Sequence, residues 1–159
     1  MKARRRLETE FQEQLEGSYN ILPGGQILDS APGDPMIRAR LLEVIEHHRA
    51  GGAKAGESVD AAVREAAFTV LNRFVALKMA EQRGLVRECV SQGPQSEGIR
   101  ELVECAPGLR GALEDGGYRL LLEAVMDEIS LDLKVLFDRR DPIAPLWPRP
   151  RPLDARLDV

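Results

Sequence analysis

Aromatic side chains are scarce in this chain, at 4% of 159 residues, so a core has to be assembled from Leu, Val, Ile and Ala. That points to packed helices rather than to a β-sandwich, whose strands favour aromatic and β-branched residues. Cysteine is nearly absent too. Cys89 and Cys105 are the only two, with no CxxC spacing and no histidine beside them. A disulfide framework and a zinc site are therefore not expected, and a reducing cytoplasm is the expected compartment. A basic excess is missing as well: 22 Lys and Arg face 26 Asp and Glu, for a net charge of −4. A domain that wraps nucleic acid on its own ordinarily shows the opposite balance. No run approaches the roughly 18 apolar residues of a membrane span. The basic residues at the N-terminus lead into Glu8, Glu10, Glu13 and Glu16 rather than into the apolar stretch of a secretory signal.

One domain is expected from the length. Its helices can be placed by apolar spacing. Leu7, Phe11 and Leu15 recur at i, i+4 and i+8 and predict a helix over Lys2 to Glu16, ended by Gly17. Ile21 to Pro35 holds three prolines and three glycines and reads as a connector, so residues 1–34 form an N-terminal helix plus connector. Pro35 suits the first turn of a second helix that reaches Ala50, with Ile37, Leu41, Val44, Ile45 and His48 near one face. Gly51, Gly52 and Gly56 then break the chain. A long third helix follows, capped by Ser58 with Asp60 at the positive end of its dipole, and terminated by Gly84. Val59, Val63, Ala66, Val70, Phe74 and Leu77 form its stripe. Ala67, Leu71 and Val75 widen that stripe until little is left for water, which places the helix between others. A short helix runs from Ser96 to Cys105 and breaks at Pro107-Gly108. The spacing of Leu121, Leu122, Val125, Ile129, Leu133 and Leu136 predicts a second long helix over Tyr118 to Phe137.

The expected architecture is thus all-α: a helical core over 35–140 built on two long helices, flanked by shorter ones, and followed by a Pro-rich exit segment over 141–159. Five prolines between Asp141 and Asp154 exclude regular helix there and predict an extended course. Trp147 sits inside it, an anchor for the tail on its own or the next domain, or a ligand for a partner groove.

Polar residues inside the apolar pattern are the first candidates for a site. Asn72 and Arg73 interrupt the third helix, and a buried arginine requires a carboxylate partner. Asp127, Glu128 and Asp132 lie along or beside the stripe of the second long helix and are the expected partners. Three carboxylates on one helix more often serve ion pairs than acid–base chemistry. The basic residues Lys2, Arg4, Arg5 and Arg6, and again Arg149, Arg151 and Arg156, are the places where DNA phosphate would be met, if anywhere; otherwise they are solvated termini. Gly24-Gly25-Gln26 matches the tripeptide of peptide-chain release factors, but its flanks are not basic, and a glycine turn is the better reading. His47 and His48 point about 100° apart on a helix, and Glu43 with His47 supplies two metal ligands without a third. No metal and no membrane partner are expected. Neither GxSxG nor a Cys–His nucleophile pair occurs.

Three blocks carry a resemblance that spacing rules do not supply. REAAFTVLNRFVALKMAEQRGLVRECV (Arg64 to Val90), GYRLLLEAVMDEISLDLKVLFDRRDP (Gly117 to Pro142) and LWPRP (Leu146 to Pro150) resemble the N-terminal helical region of large bacterial adenine-specific DNA methyltransferases. These are enzymes of the bacteriophage-exclusion (BREX, PglX-like) and restriction-modification type. The resemblance covers most of Val59 to Arg151. It implies a parent enzyme that moves a methyl group from S-adenosylmethionine to adenine N6, with its cofactor loop and its Asn-Pro-Pro-Tyr-type motif elsewhere. Asp141-Pro142-Ile143 lacks the second proline and the stacking aromatic, and no GxG follows an apolar strand. The resemblance therefore implies a non-catalytic piece that binds no cofactor itself, leads through its proline segment toward a catalytic domain, and works with that domain in cis or in trans. The alternative is a self-standing helical interaction module.

Overall fold

The computed structural model describes residues 2–113, 115–131, 133–137 and 146–149. The fold is all-α. Its helices are α1 (Lys2–Tyr19), α2 (Pro35–Ala50), α3 (Ala55–Gln82), α4 (Glu97–Cys105), α5 (Leu109–Ala112), α6 (Tyr118–Ile129) and α7 (Lys134–Phe137), with a 3-10 turn at Gly93–Gln95 before α4. Among the described residues the one extended pairing is an isolated antiparallel bridge between Ile21 and Ile27. No helix among them is long and apolar enough to cross a membrane. The chain gathers into two compact units, one containing Met1–Leu71 and the described residues 146–149, the other the described part of Asn72–Asp138.

In the first unit the core is Leu7, Phe11 and Leu15 of α1, Leu41 and Ile45 of α2, and Val59, Val63, Ala66 and Val70 of α3. α1 does not stop at Gly17 as expected but continues to Tyr19. A glycine inside a helix costs only about 0.5–1 kcal/mol, and burial of Tyr19, 9% exposed, offsets it. The turn comes at Asn20, with a φ of 52°, after which the Ile21 N–H donates to the Leu15 carbonyl at 3.0 Å. The segment beyond is more ordered than a bare connector, and Ile21 is fully buried. Its tip is a three-residue loop, Pro23-Gly24-Gly25, closed by Leu22 N–H to Gln26 O at 2.9 Å and Gly25 N–H to Leu22 O at 2.8 Å. α2 has the expected limits. The Asp34 carboxylate caps it, accepting from Met36 N at 2.7 Å, and Pro35 fills the first turn.

α3 begins three residues earlier than expected, and Ser58 is not its cap. The Glu57 carboxylate reaches back to the Lys54 N–H at 3.0 Å, and the buried Ser58 hydroxyl donates to the Ala55 carbonyl at 2.7 Å. Every member of the predicted α3 stripe is buried; of the residues expected to widen it, Ala67 is buried and Leu71 and Val75 are half-buried, and water still reaches the helix at Phe68, 54% exposed, and Met79, 46% exposed. Gly84, with a φ of 68°, ends α3 in a Schellman turn, Gly84 N–H to Glu81 O at 3.0 Å and Leu85 N–H to Ala80 O at 2.9 Å.

In the second unit α6 packs on α4 and on α7. The second long helix is not continuous: α6 ends at Ile129 and α7 resumes at Lys134. Ser130 turns its hydroxyl onto the Asp127 carbonyl at 2.7 Å, a local bond that competes with the helical ladder. The break takes Leu133 out of the expected buried stripe, leaving it 52% exposed, and Leu131 is exposed beside it. Tyr118, Leu121, Leu122 and Met126 remain buried, whereas Val125 and Ile129 are half-buried. The start of α6 is fixed by Asp115, which accepts from Gly117 N at 3.0 Å and from Arg119 N at 2.9 Å.

Candidate functional site

The polar inclusion of α3 becomes a tie inside the second unit. Arg73 is 4% exposed, and its Nε–H donates to the Leu136 carbonyl at 2.9 Å. That carbonyl belongs to the last turn of α7, where backbone oxygens lack helical partners and a cation is favoured. The expectation for Arg73 was a carboxylate. Of the three named, Asp127 is half-buried, Glu128 is exposed, and Asp132 lies outside the described residues. Asn72 is half-buried beside Arg73.

A second polar centre, which sequence reasoning missed, is built on Glu81 in the last turn of α3. One carboxylate oxygen accepts from three successive backbone amides, Cys89 at 2.9 Å, Val90 at 2.8 Å and Ser91 at 3.3 Å. Partial burial pushes the Glu81 pKa up, but the Ser91 side chain and the three amides outweigh it and hold the group below its ordinary value. A neighbouring carboxylate, Glu88, accepts from Glu97 N at the start of α4 at 3.3 Å. Cys89 is fully buried between these groups; burial first, then the charges of Glu81 and Glu88, push its thiol up to about 12. Such a thiol stays protonated and chemically quiet, while Cys105 is exposed.

Because the folded Glu81 pKa is depressed, its contribution is present above the ordinary carboxylate value and is lost as pH falls through the lower, folded value. Glu81→Gln is therefore expected to flatten the acid limb of stability. Urea midpoints across the acid range check this, and an unchanged limb in the variant would refute the assignment.

The remaining candidates are dispersed. Lys2, Arg4, Arg5 and Arg6 are all exposed, point around the circumference of α1 rather than along one face, and include an Arg4–Glu8 ion pair at 2.8 Å. Of the second basic group, Arg149 is exposed, while Arg151 and Arg156 lie outside the described residues. His48 meets Glu65 of α3 at 3.0 Å, and His47 is exposed. Among the described residues no group of three or more His, Cys, Asp or Glu is placed to hold a metal ion. The glycine tripeptide is a turn tied to α2, with the Gly25 carbonyl accepting from Arg49 at 2.9 Å.

The exit segment has a definite place where it is described. Leu146 and Pro148 are buried, the Gln14 amide of α1 donates to the Trp147 carbonyl at 2.9 Å, and the Arg149 N–H donates to Glu10 of α1. Trp147 is thus anchored on its own chain, one of the outcomes expected for it. No protein family, curated protein or solved structure matches this chain.

Proposed function

We propose that this chain is the non-catalytic N-terminal helical domain of an adenine-specific (N6) DNA methyltransferase of a phage-defence or restriction-modification system. It packs on the methyltransferase domain, in cis or in trans, and helps to position DNA. The cofactor of the parent reaction, S-adenosylmethionine, belongs to that domain. The observation that carries the reading is where the three resembling blocks fall. Arg64 to Val90 spans most of α3 with the Glu81 loop, Gly117 to Pro142 includes α6 and α7, and Leu146 to Pro150 includes the segment seated on α1. The bond from Arg73 to Leu136 joins the first block to the second. The first two blocks thus meet in the fold, which supports a shared domain rather than scattered coincidences.

Weak DNA contact by the exposed Lys2, Arg4, Arg5 and Arg6 fits a positioning role better than a binding one, given the net charge of −4. The deciding experiment is transfer of a labelled methyl group to DNA by this chain alone, by an adenine methyltransferase domain encoded beside it, and by the mixture. Transfer is expected to be strongest in the mixture and absent with the chain alone. Transfer by the chain alone would overturn the non-catalytic assignment. A catalytic domain that neither binds the chain nor responds to it would favour a self-standing interaction module.

A further inference from the structure

α1 buries two polar side chains one turn apart, Glu10 at 7% and Gln14 at 9% exposed, on the face that carries Phe11. Burying such groups is costly unless their hydrogen bonds are made. Here a stretched piece of the same chain makes them: the Gln14 amide donates to the Trp147 carbonyl at 2.9 Å, and Glu10 accepts the Arg149 N–H. Gln14 also donates to Glu10 at 3.2 Å, which sets the pair as one acceptor and one donor for a backbone. The side chains of the segment alternate. Leu146 and Pro148 are buried, Trp147 is half-buried, and Arg149 is exposed. Main-chain bonds combined with burial of every second side chain is the way an extended peptide is recognised.

We propose that this face of α1 is a receptor for an extended peptide of the pattern Leu-x-Pro-x, and that residues 146–149 are its built-in ligand. The segment is a latch, and a free peptide of the same pattern displaces it. The specification is narrow. The residue after the proline must offer an N–H to Glu10 and contributes no buried side chain of its own, and the residue before the proline offers its carbonyl to Gln14. The contact includes two backbone bonds and two buried side chains on a segment of four residues, small enough to exchange. Its tether supplies an effective concentration on the order of millimolar, which a competitor has to match. The inference stands apart from the methyltransferase reading.

Trp147 is the only tryptophan in the chain, so its emission and its quenching by acrylamide report the latch directly in the full-length protein. Arg149→Pro removes the N–H without touching a buried side chain, and Arg149→Ala keeps it. Loss of one hydrogen bond is expected to shift the docked-to-free ratio about fivefold. Arg149→Pro and Gln14→Leu should therefore expose Trp147 to quencher, while Arg149→Ala should match the parent chain. A synthetic peptide of residues 144–150 carrying Trp147→Phe, which does not emit in the tryptophan window, should raise quenching of the unmodified protein at millimolar concentration. That arm holds even if a variant loses helicity by circular dichroism. Quenching of the unmodified protein that is indifferent to the peptide would overturn the proposal.

Discussion

Gly25→Ala is expected to destabilise the first unit by about 2–5 kcal/mol, the sum of a left-handed backbone penalty and an overpacking penalty. Gly25 has a φ of 82°, a conformation that L side chains adopt at a cost. The added methyl would also lie 2.4 Å from the Ala55 carbonyl carbon and 2.6 Å from the Ala55 Cβ, so the first turn of α3 has to move. Next to it, Gly24 has open space where a methyl group would stand and no positive φ. Gly24→Ala is the matched control and should be nearly neutral. Urea unfolding followed by circular dichroism separates the two variants. Equal midpoints for both would show that the loop tip is not seated on α3. The contrast also bears on the glycine tripeptide, whose second glycine is occupied in packing.

The second large effect is expected at Phe74, which is 3% exposed in α3. Phe74→Ala should cost about 3–5 kcal/mol through lost burial and the cavity left behind. The apolar spacing alone gave Ile129 the same standing, but it is half-buried at the end of α6, and its truncation should cost about 1 kcal/mol, in proportion to the area it hides. Phe68, on the same helix and 54% exposed, supplies an internal reference that should barely respond. A Phe68→Ala loss equal to that of Phe74→Ala would contradict the burial pattern.

These pairs show where sequence patterning was sufficient. The stripe of α3 was legible because a 3.6-residue period persists through Val59, Val63, Ala66, Val70, Phe74 and Leu77, all of them buried. The limits of α2 were legible because Pro35 at its start marks a boundary. The break after Ile129 was hidden, since Leu133 and Leu136 continue the helical spacing and only a local Ser130 bond diverts the backbone. Arg73 announced its own burial as a charge within an apolar run. Its bond to the Leu136 carbonyl was not announced, because a backbone carbonyl has no residue type to recognise. Glu10 and Gln14 were hidden for the same reason and for distance: their partners are main-chain groups 139 and 133 residues away. Glu81 likewise satisfies a loop whose amides any sequence would carry.

That last arrangement has a consequence for what the second unit can hold. Three amides converging on one point form the kind of cradle in which proteins seat phosphate or sulfate. Between Cys89 and Ser91 the seat is already filled from within by the Glu81 carboxylate, whose pKa these amides hold below its ordinary value. A phosphate arriving from a nucleic-acid backbone would have to evict a tethered anion and stand beside Glu88. The loop after α3 thus carries an anion seat that its own side chain already fills.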